Sequence, residues 1–311
     1  MDKILLKQAL FYGSYLAFPC LAWLVWRLRR PGGRWFTACV LAAGLVFVWA
    51  RFVEPQMIRV RETTLPGTGA TANIALISDI HLGIYKDSRF LHRLVDRIND
   101  LPVDAVVIAG DLTYEPQSRP QCPRESEPRR AQQCALEVMF APLSRIRVPT
   151  LAVLGNHDQQ APGPDIDQAL RAALGHHGVK IIEGKLLTTA AGYRWAGLGD
   201  RWAGKDDPAF LAAAPSSPPI FVVAHNPDSA VELDPASTRL LLAGHTHGGQ
   251  IRIPVLYRRV IPSAHGFDRG EQFASTPRGR IRVFTTSGVG EIGLPMRLFN
   301  PPTIDVLHLR P

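Results

Sequence analysis

Two uncharged apolar runs open the chain, and both are too continuous for the amphipathic elements of an ordinary globular core. Residues 9–26, ALFYGSYLAFPCLAWLVW, hold 18 positions without a charge. Residues 35–50, WFTACVLAAGLVFVWA, hold 16 more, extendable to Val53 if Arg51 snorkels to an interface. A bilayer-crossing helix needs about 17–25 apolar residues, so the pattern predicts two transmembrane helices, at 9–26 and 35–53. Trp23, Trp26, Trp35 and Trp49 fall near their ends, where aromatic belts sit. Residues 61–72, RETTLPGTGATA, lack an apolar period and read as a linker.

From residue 73 the pattern changes to short apolar runs alternating with helical periodicity. NIALISD (73–79), DAVVIAGD (104–111) and PTLAVLGNHD (149–158) read as buried strands with their exits. Further strands are expected at 193–197, 219–224, 239–243, 281–286 and 303–309. Phe90, Leu91, Leu94, Val95 and Ile98 carry helical spacing through 88–100, and a second helix is expected over 131–146. Strands alternating with helices predict an α/β sheet whose functional groups gather at the strands' carboxyl ends. The expected organisation is a membrane anchor at 1–60, the linker at 61–72 and an α/β domain at 73–311.

Charge changes the picture in one respect. The net charge is +8, but residues 1–61 hold nine Lys/Arg against two Asp/Glu, leaving 26 basic and 25 acidic residues in the remainder. The basic signature belongs to the apolar segment, so the main domain has no general polyanion footprint, nucleic acid is not expected as a partner, and a soluble nuclease is disfavoured. No small-x-small cleavage site follows the first run, and Cys20 follows Pro19, which argues against a cleaved leader or a lipoprotein. The loop RLRRPGGR (27–34) would lie in the cytoplasm by the positive-inside rule, leaving both termini and the domain outside; Lys3, Lys7, Arg51, Arg59 and Arg61 pull the other way. Cys122 and Cys134 bracket the polar insertion CPRESEPRRAQQC and either staple it, in an oxidising compartment, or stay free.

The candidate chemistry lies at the strand exits. The first ends in SDIHLG with Asp79 and His81, the second in AGDLT with Asp111, and the third in LGNHDQ with Asn156, His157 and Asp158. A later strand leads to AHNPDS with His225, and the next to AGHTHGGQ with His245 and His247. On an extended segment the last two, at i and i+2, point to one side. One such exit would be an ordinary turn; five in order predict a shared metal site. The donors are oxygen and nitrogen without thiolate, which suits Mn, Fe or Zn. GVGEIG (288–293) matches a dinucleotide-binding pattern, but Pro295 follows in place of a helix and the pattern is discounted. Asp200 is readable as a supporting carboxylate or a turn residue, Arg258 and Arg259 as a solvated loop or a phosphate grip, and His176 and His177 as helix caps.

The series D-x-H, G-D, G-N-H-D, H, G-H-x-H resembles the signature of the calcineurin-like metallophosphoesterases, and AHNPDS with GHTHGGQIRIP resembles their bacterial membrane-associated YaeI/YkuE-like phosphodiesterase branch. The resemblance covers roughly residues 73–309. It implies a four-layer αββα sandwich, two sheets face to face with helices outside, carrying two divalent metal ions. Asp79, His81 and His247 would hold one metal, Asn156, His225 and His245 the other, and Asp111 would bridge them. His157 would face the substrate phosphate, with Asp158 fixing its tautomer. The sequence departs from the protein-phosphatase branch, since Tyr114 and Glu115 follow GDLT. The implied activity is hydrolysis of a phosphodiester or pyrophosphate by a metal-bridged hydroxide. The expected substrate is lipid-linked or membrane-proximal, and the expected setting is a bacterial inner membrane with the domain on its periplasmic face. The alternatives are a UDP-2,3-diacylglucosamine pyrophosphatase of lipid A synthesis and a non-catalytic metal-binding membrane scaffold.

Overall fold

A computed structural model describes residues 3–28, 33–115, 122, 128–159 and 166–311. Two mixed six-stranded sheets form the body of the protein. The first is ordered β1 (Arg59–Leu65), β14 (Thr303–Leu309), β2 (Ala72–Ile77), β4 (Ala105–Ala109), β6 (Thr150–Val153) and β7 (Val179–Ile181). The second runs β12 (Gly270–Thr276), β13 (Gly279–Thr285), β11 (Thr238–Ala243), β10 (Ile220–Val223), β9 (Arg194–Gly197) and β8 (Leu186–Thr188). A two-stranded ribbon, β3 (Leu82–Gly83) with β5 (Thr113–Tyr114), lies beyond the first sheet's strand exits.

The central strands are apolar on both faces because both faces are covered. Ile74, Leu76, Val107 and Val153 pack between the sheets against Trp195, Phe221, Leu240 and Leu242. The alternate residues Ala75, Ile77, Val106 and Ile108 meet the helices Ser88–Asn99, Pro128–Phe140 and Asp167–His176 on the outside. The first of these helices presents Phe90, Leu91, Leu94, Val95 and Ile98 to that layer and starts where the Asp87 carboxylate accepts the Arg89 N–H.

Two expectations about the architecture need correction. The second sheet's outer face is covered by short 3₁₀ segments and loops, with Leu211, Ala230, Leu233 and Phe267 packed on Ile220, Val222, Leu241 and Val283. Among the described residues α-helices flank only the first sheet, so the sequence-based picture of helices outside both sheets holds on one side. The segment 61–72 is also more than a linker: its first five residues lie within β1, paired in parallel with β14 from Arg59–Thr303 to Leu65–Leu309. Its exposed polar side chains hid a strand that lies at a sheet edge and carries little apolar pattern.

The apolar N-terminal runs form two helical segments, Ile4–Leu28 and Arg34–Gln56, of 25 and 23 residues, long and apolar enough to cross a membrane. They approach closely at Gly44, where an added Cβ would lie 2.5 Å from Leu21 Cδ2. The Arg51 guanidinium is buried between the helices, donating to Ser14 Oγ at 3.0 Å and lying 4.3 Å from the Phe11 ring centroid. The second helix is fastened to the sheets: Arg297 N–H donates to Ala50 O at 2.8 Å, and Asn300 N–H to Glu54 Oε1 at 2.5 Å. Arg29 and Arg30, the centre of the arginine-rich loop, lie outside the described residues. Cys122 and Cys134 are joined in a disulfide.

Candidate metal centre

Each strand expected to deliver chemistry ends beside the same buried cluster. Asp79 and His81 follow β2, Asp111 follows β4, Asn156 follows β6, His225 follows β10, and His245 and His247 follow β11. All seven are buried. Five of them, Asp79, His81, Asp111, His245 and His247, have φ between 49° and 69°, a region that non-glycine residues rarely occupy. That strain is held by the packing around it. His245 and His247 are therefore not on an extended segment, since β11 ends at Ala243 and the chain turns sharply at both residues. As a result their rings go to different places: His247 stacks on His81, and His245 sits edge-on to His225.

Two glycines show how tightly the chain is folded here. A Cβ on Gly155 would lie 2.1 Å from Asp111 Oδ1, and one on Gly244 would lie 1.9 Å from Ser78 Oγ.

Two contacts orient the rings. His81 Nδ1 lies 3.2 Å from Thr113 O and His225 Nδ1 lies 2.8 Å from Ala109 O. A carbonyl only accepts, so both Nδ1 atoms carry hydrogen and both Nε2 lone pairs point inward, the arrangement that backs a metal-binding histidine. The Nε2 atoms of His81 and His247 then stand 3.1 Å apart. Asp111 Oδ2 lies 3.5 Å from His81 Nε2 and 3.2 Å from His225 Nε2, between the two groups of rings. Asn156 Oδ1 and His245 Nδ1 lie 3.2 Å and 3.1 Å from that same His225 nitrogen.

Electrostatics fit a cation. Burial pushes His81 and His245 down to about 3 and His247 well down, so these three rings are neutral, as ligands must be. Burial, reinforced by the neighbouring Asp111, pushes Asp79 up to about 7. His225 goes the other way: burial opposes its charge, but the Asp111 carboxylate lifts it to about 10. The Asp111 carboxylate thus favours positive charge at this nitrogen, which a bound cation would supply in the proton's place. Asp79 Oδ1, 3.3 Å from His247 Nε2, is buried without a hydrogen-bond partner, and such an orphan is rare unless something else satisfies it. Asp79, His81 and His247 form one group whose donor atoms lie within 4.8 Å of one another, and Asp79, Asp111 and His225 form another. The geometry thus makes Asp79 common to both groups, alongside the carboxylate expected to bridge. Together these buried Asp and His clusters are consistent with a dinuclear metal site.

The chain belongs to the calcineurin-like phosphoesterase family. That family's pattern matches residues 72–249, more than half the chain. The chain is 26% identical over 279 residues to phosphodiesterase YaeI of Escherichia coli (strain K12), covering 88% of this chain and 96% of the relative. It is 28% identical over 283 residues to the metallophosphoesterase YkuE of Bacillus subtilis (strain 168), covering 88% and 93%. It is also 23% identical over 328 residues to UDP-2,3-diacylglucosamine pyrophosphatase LpxG of Chlamydia muridarum (strain MoPn / Nigg), covering 88% and 95%. Membership makes the cluster the candidate active site of a metal-dependent phosphoesterase.

Within this phosphoesterase site His157 is half-buried. Its N–H donates to Asp111 Oδ1 at 2.9 Å, and its ring stands edge-on to those of His81 and Tyr114, with centroids 5.3 Å away in each case. Asp158 does not fix its tautomer. The Asp158 carboxylate accepts from the N–H groups of Leu112, Thr113 and Gly155 and from Thr113 Oγ1 at 2.8–3.1 Å, so it braces the turns that carry Asp111 and Asn156. Asp200 is buried, its Oδ2 accepting from Ala203 N–H at 2.9 Å, and burial pushes its carboxyl up to about 6. Arg258 and Arg259 stay on an exposed turn.

Several residues escaped the sequence reading. Asn300 donates through Nδ2 to His247 O at 2.6 Å, and Trp202 stands edge-on to His245 at 4.5 Å. Gly290 N–H donates to Asp79 O, and Gly288 leaves no room for a Cβ beside Asp79. The G-x-G spacing at 288–290 was visible, but its reason is this close approach to Asp79.

Proposed function

We propose that the protein is a membrane-anchored phosphoesterase that hydrolyses a phosphodiester or pyrophosphate, with residues 1–60 as anchor and 73–311, completed by β1, as catalytic domain. Asp79, His81 and His247 hold one metal, Asn156, His225 and His245 the other, and Asp111 bridges. The observation that carries this reading is the position of Asp111 Oδ2, within 3.5 Å of one imidazole from each group. When bound, two divalent cations neutralise phosphate charge and supply hydroxide near neutral pH. The chain's own part is to orient. His81 and His225 are locked by carbonyls, Asp158 braces two of the loops, and His157 presents its ring to the phosphate and the leaving oxygen. An intact His157 at the mouth favours catalysis over a scaffold role.

The test is hydrolysis by the purified, Mn²⁺-loaded full chain of bis-p-nitrophenyl phosphate against the p-nitrophenyl monoester. Faster release from the diester is expected. A monoester preference would overturn the diesterase reading, and inertness toward both with full metal content would favour the scaffold.

The helix lengths support anchoring, and the Cys122–Cys134 disulfide with the arginine-rich loop 27–34 supports an outward-facing domain at a bacterial inner membrane. Similarity to LpxG favours a second reading, a nucleotide-linked lipid substrate, which requires a domain facing the cytoplasm. Alkaline phosphatase and green fluorescent protein fused separately behind the second helix separate the two. Active phosphatase with a dark fluorescent protein is expected, and the opposite pattern revives the LpxG-like substrate.

A further inference from the structure

The metal centre forms the floor of a chamber of about 480 Å³, within the range that encloses small ligands. Asp111, Asn156, His157, His245 and His247 line one end. The other end is of different chemistry: Ile251, Ile253, Leu256, Val260, Ile292 and Leu294 line it. Among the described lining residues Asp111 is the only carboxylate, and none is Lys or Arg. A phosphoester seated on the floor would therefore place its remaining substituent against hydrocarbon.

The rim of that apolar end is turned to water. Val255 is 74% exposed, Val260 68% and Leu256 52%, all on one short loop that also carries the exposed Arg258 and Arg259. Val255 has φ +69°, an outlier for a β-branched residue. Glycine or asparagine would relieve that strain, yet the loop keeps an exposed valine there. Apolar side chains interleaved with arginines are the composition of a segment lying in a headgroup region.

The rim also lies beside the exits of the two apolar helices. Arg252 N–H donates to Leu298 O at 2.9 Å, and Gln250 Nε2 reaches Ile292 O and Leu294 O at 3.0 Å and 2.9 Å. The same 290–300 segment takes the end of the second helix through Ala50 and Glu54. On the floor's other side Lys7, from the first helix, pairs with Glu115 at 2.7 Å and lies 4.3 Å from the Tyr114 ring centroid, the ring that packs on His157.

We infer that the Ile253–Val260 loop inserts into the leaflet from which the helices emerge, and that the apolar half of the chamber takes the hydrocarbon part of an amphiphilic phosphoester drawn from that leaflet. This rests on the reading of the protein as an anchored phosphoesterase. Anionic lipid is the favoured surface, each arginine at the interface strengthening its attraction about fivefold.

The hydrolytic arm compares two diesters with one leaving group, p-nitrophenyl methyl phosphate and p-nitrophenyl dodecyl phosphate, using the Mn²⁺-loaded full chain in nanodiscs. Each methylene taken out of water changes binding about fourfold, so even two enclosed methylenes favour the dodecyl ester about tenfold or more in kcat/KM referred to the ester free in water. Leu294→Asn and Leu256→Asn should erase that preference, read as the ratio of kcat/KM for the two esters measured on the same preparation of each variant. Equal rates on the two esters in the parent chain, or a preference that survives both variants, overturns the chamber assignment.

The second arm needs no turnover. An environment-sensitive dye on Val255→Cys, with Cys20 and Cys39 replaced by serine, is compared with the same dye on Phe273→Cys in nanodiscs of phosphatidylcholine with a minor share of phosphatidylglycerol. Headgroup-level spin-labelled lipid should quench the first and spare the second. Equal quenching overturns the docking, as does protection of position 255 by a co-purifying protein. If neither ester turns over while position 255 is quenched, the catalytic reading falls and the docking surface stands.

Discussion

The floor and the rim of the chamber are built by opposite rules. On the floor, charged and strained residues are buried, and nearly every neighbouring atom is committed: Asp158 accepts four hydrogen bonds, Asn300 holds His247 O, and Gly155 has no space for a methyl. On the rim, apolar side chains face water and the local hydrogen bonds are short-range turns, such as Tyr257 N–H to Ile253 O. The contrast separates what must be rigid from what must meet a partner. A metal centre needs its donors over-determined, whereas a surface that enters a lipid interface needs exposed area and little internal structure. Substitutions should therefore divide sharply between the two regions.

The largest effect is expected at Asp111→Asn. A neutral amide between two groups of imidazoles removes the charge that would hold two cations together, so metal and hydrolysis should be lost to the level of the stripped protein. Elemental analysis finding two full equivalents of metal in that variant would refute the bridging role. Next comes His157→Ala, which should keep both metals and lose about 10²–10⁴-fold in kcat; turnover within a few-fold of the parent would remove His157 from the reaction.

Asn300→Ala probes how the floor is tied to the helices, because Asn300 meets Glu54 through its N–H and His247 through its side chain. Leaving the buried His247 carbonyl without that donor should cost about 1–3 kcal/mol of stability, measured by denaturant unfolding, with weakened metal retention at the His247 group. Unchanged metal affinity would confine Asn300 to a purely structural role. The smallest effect belongs to the rim. Val255→Ser should move stability by no more than about 0.5 kcal/mol and leave bis-p-nitrophenyl phosphate hydrolysis unaltered. A large loss in either would mean that the rim belongs to the rigid half and would dissolve the contrast.

All seven residues proposed as ligands were legible because strand exits concentrate function, and a buried apolar run followed by Asp, Asn or His is a local pattern. The reason for the residues between them was not legible. The sequence predicts His245 and His247 side by side on an extended segment, whereas positive φ at both sends them to separate groups. Asp158 sits next to His157 in the chain and supports different residues in space. Asn300, some fifty positions from His247, had no local mark other than its place before two prolines.

By itself, the sequence determined the elements whose signal is local: the two long apolar helices, the alternation of strands with helices after residue 73, and the donor set with its preference for hard or borderline metals. Only the tertiary structure decided which side chains cluster together, that an edge strand lay in the apparent linker, that one sheet is faced by short turns, and that the apolar end of the chamber opens beside the helices. The physical reason is range. Hydrophobic period and turn chemistry are set within a few residues, whereas strained backbone, close glycine contacts and the orientation of a ring by a distant carbonyl exist only once separate strands are packed together.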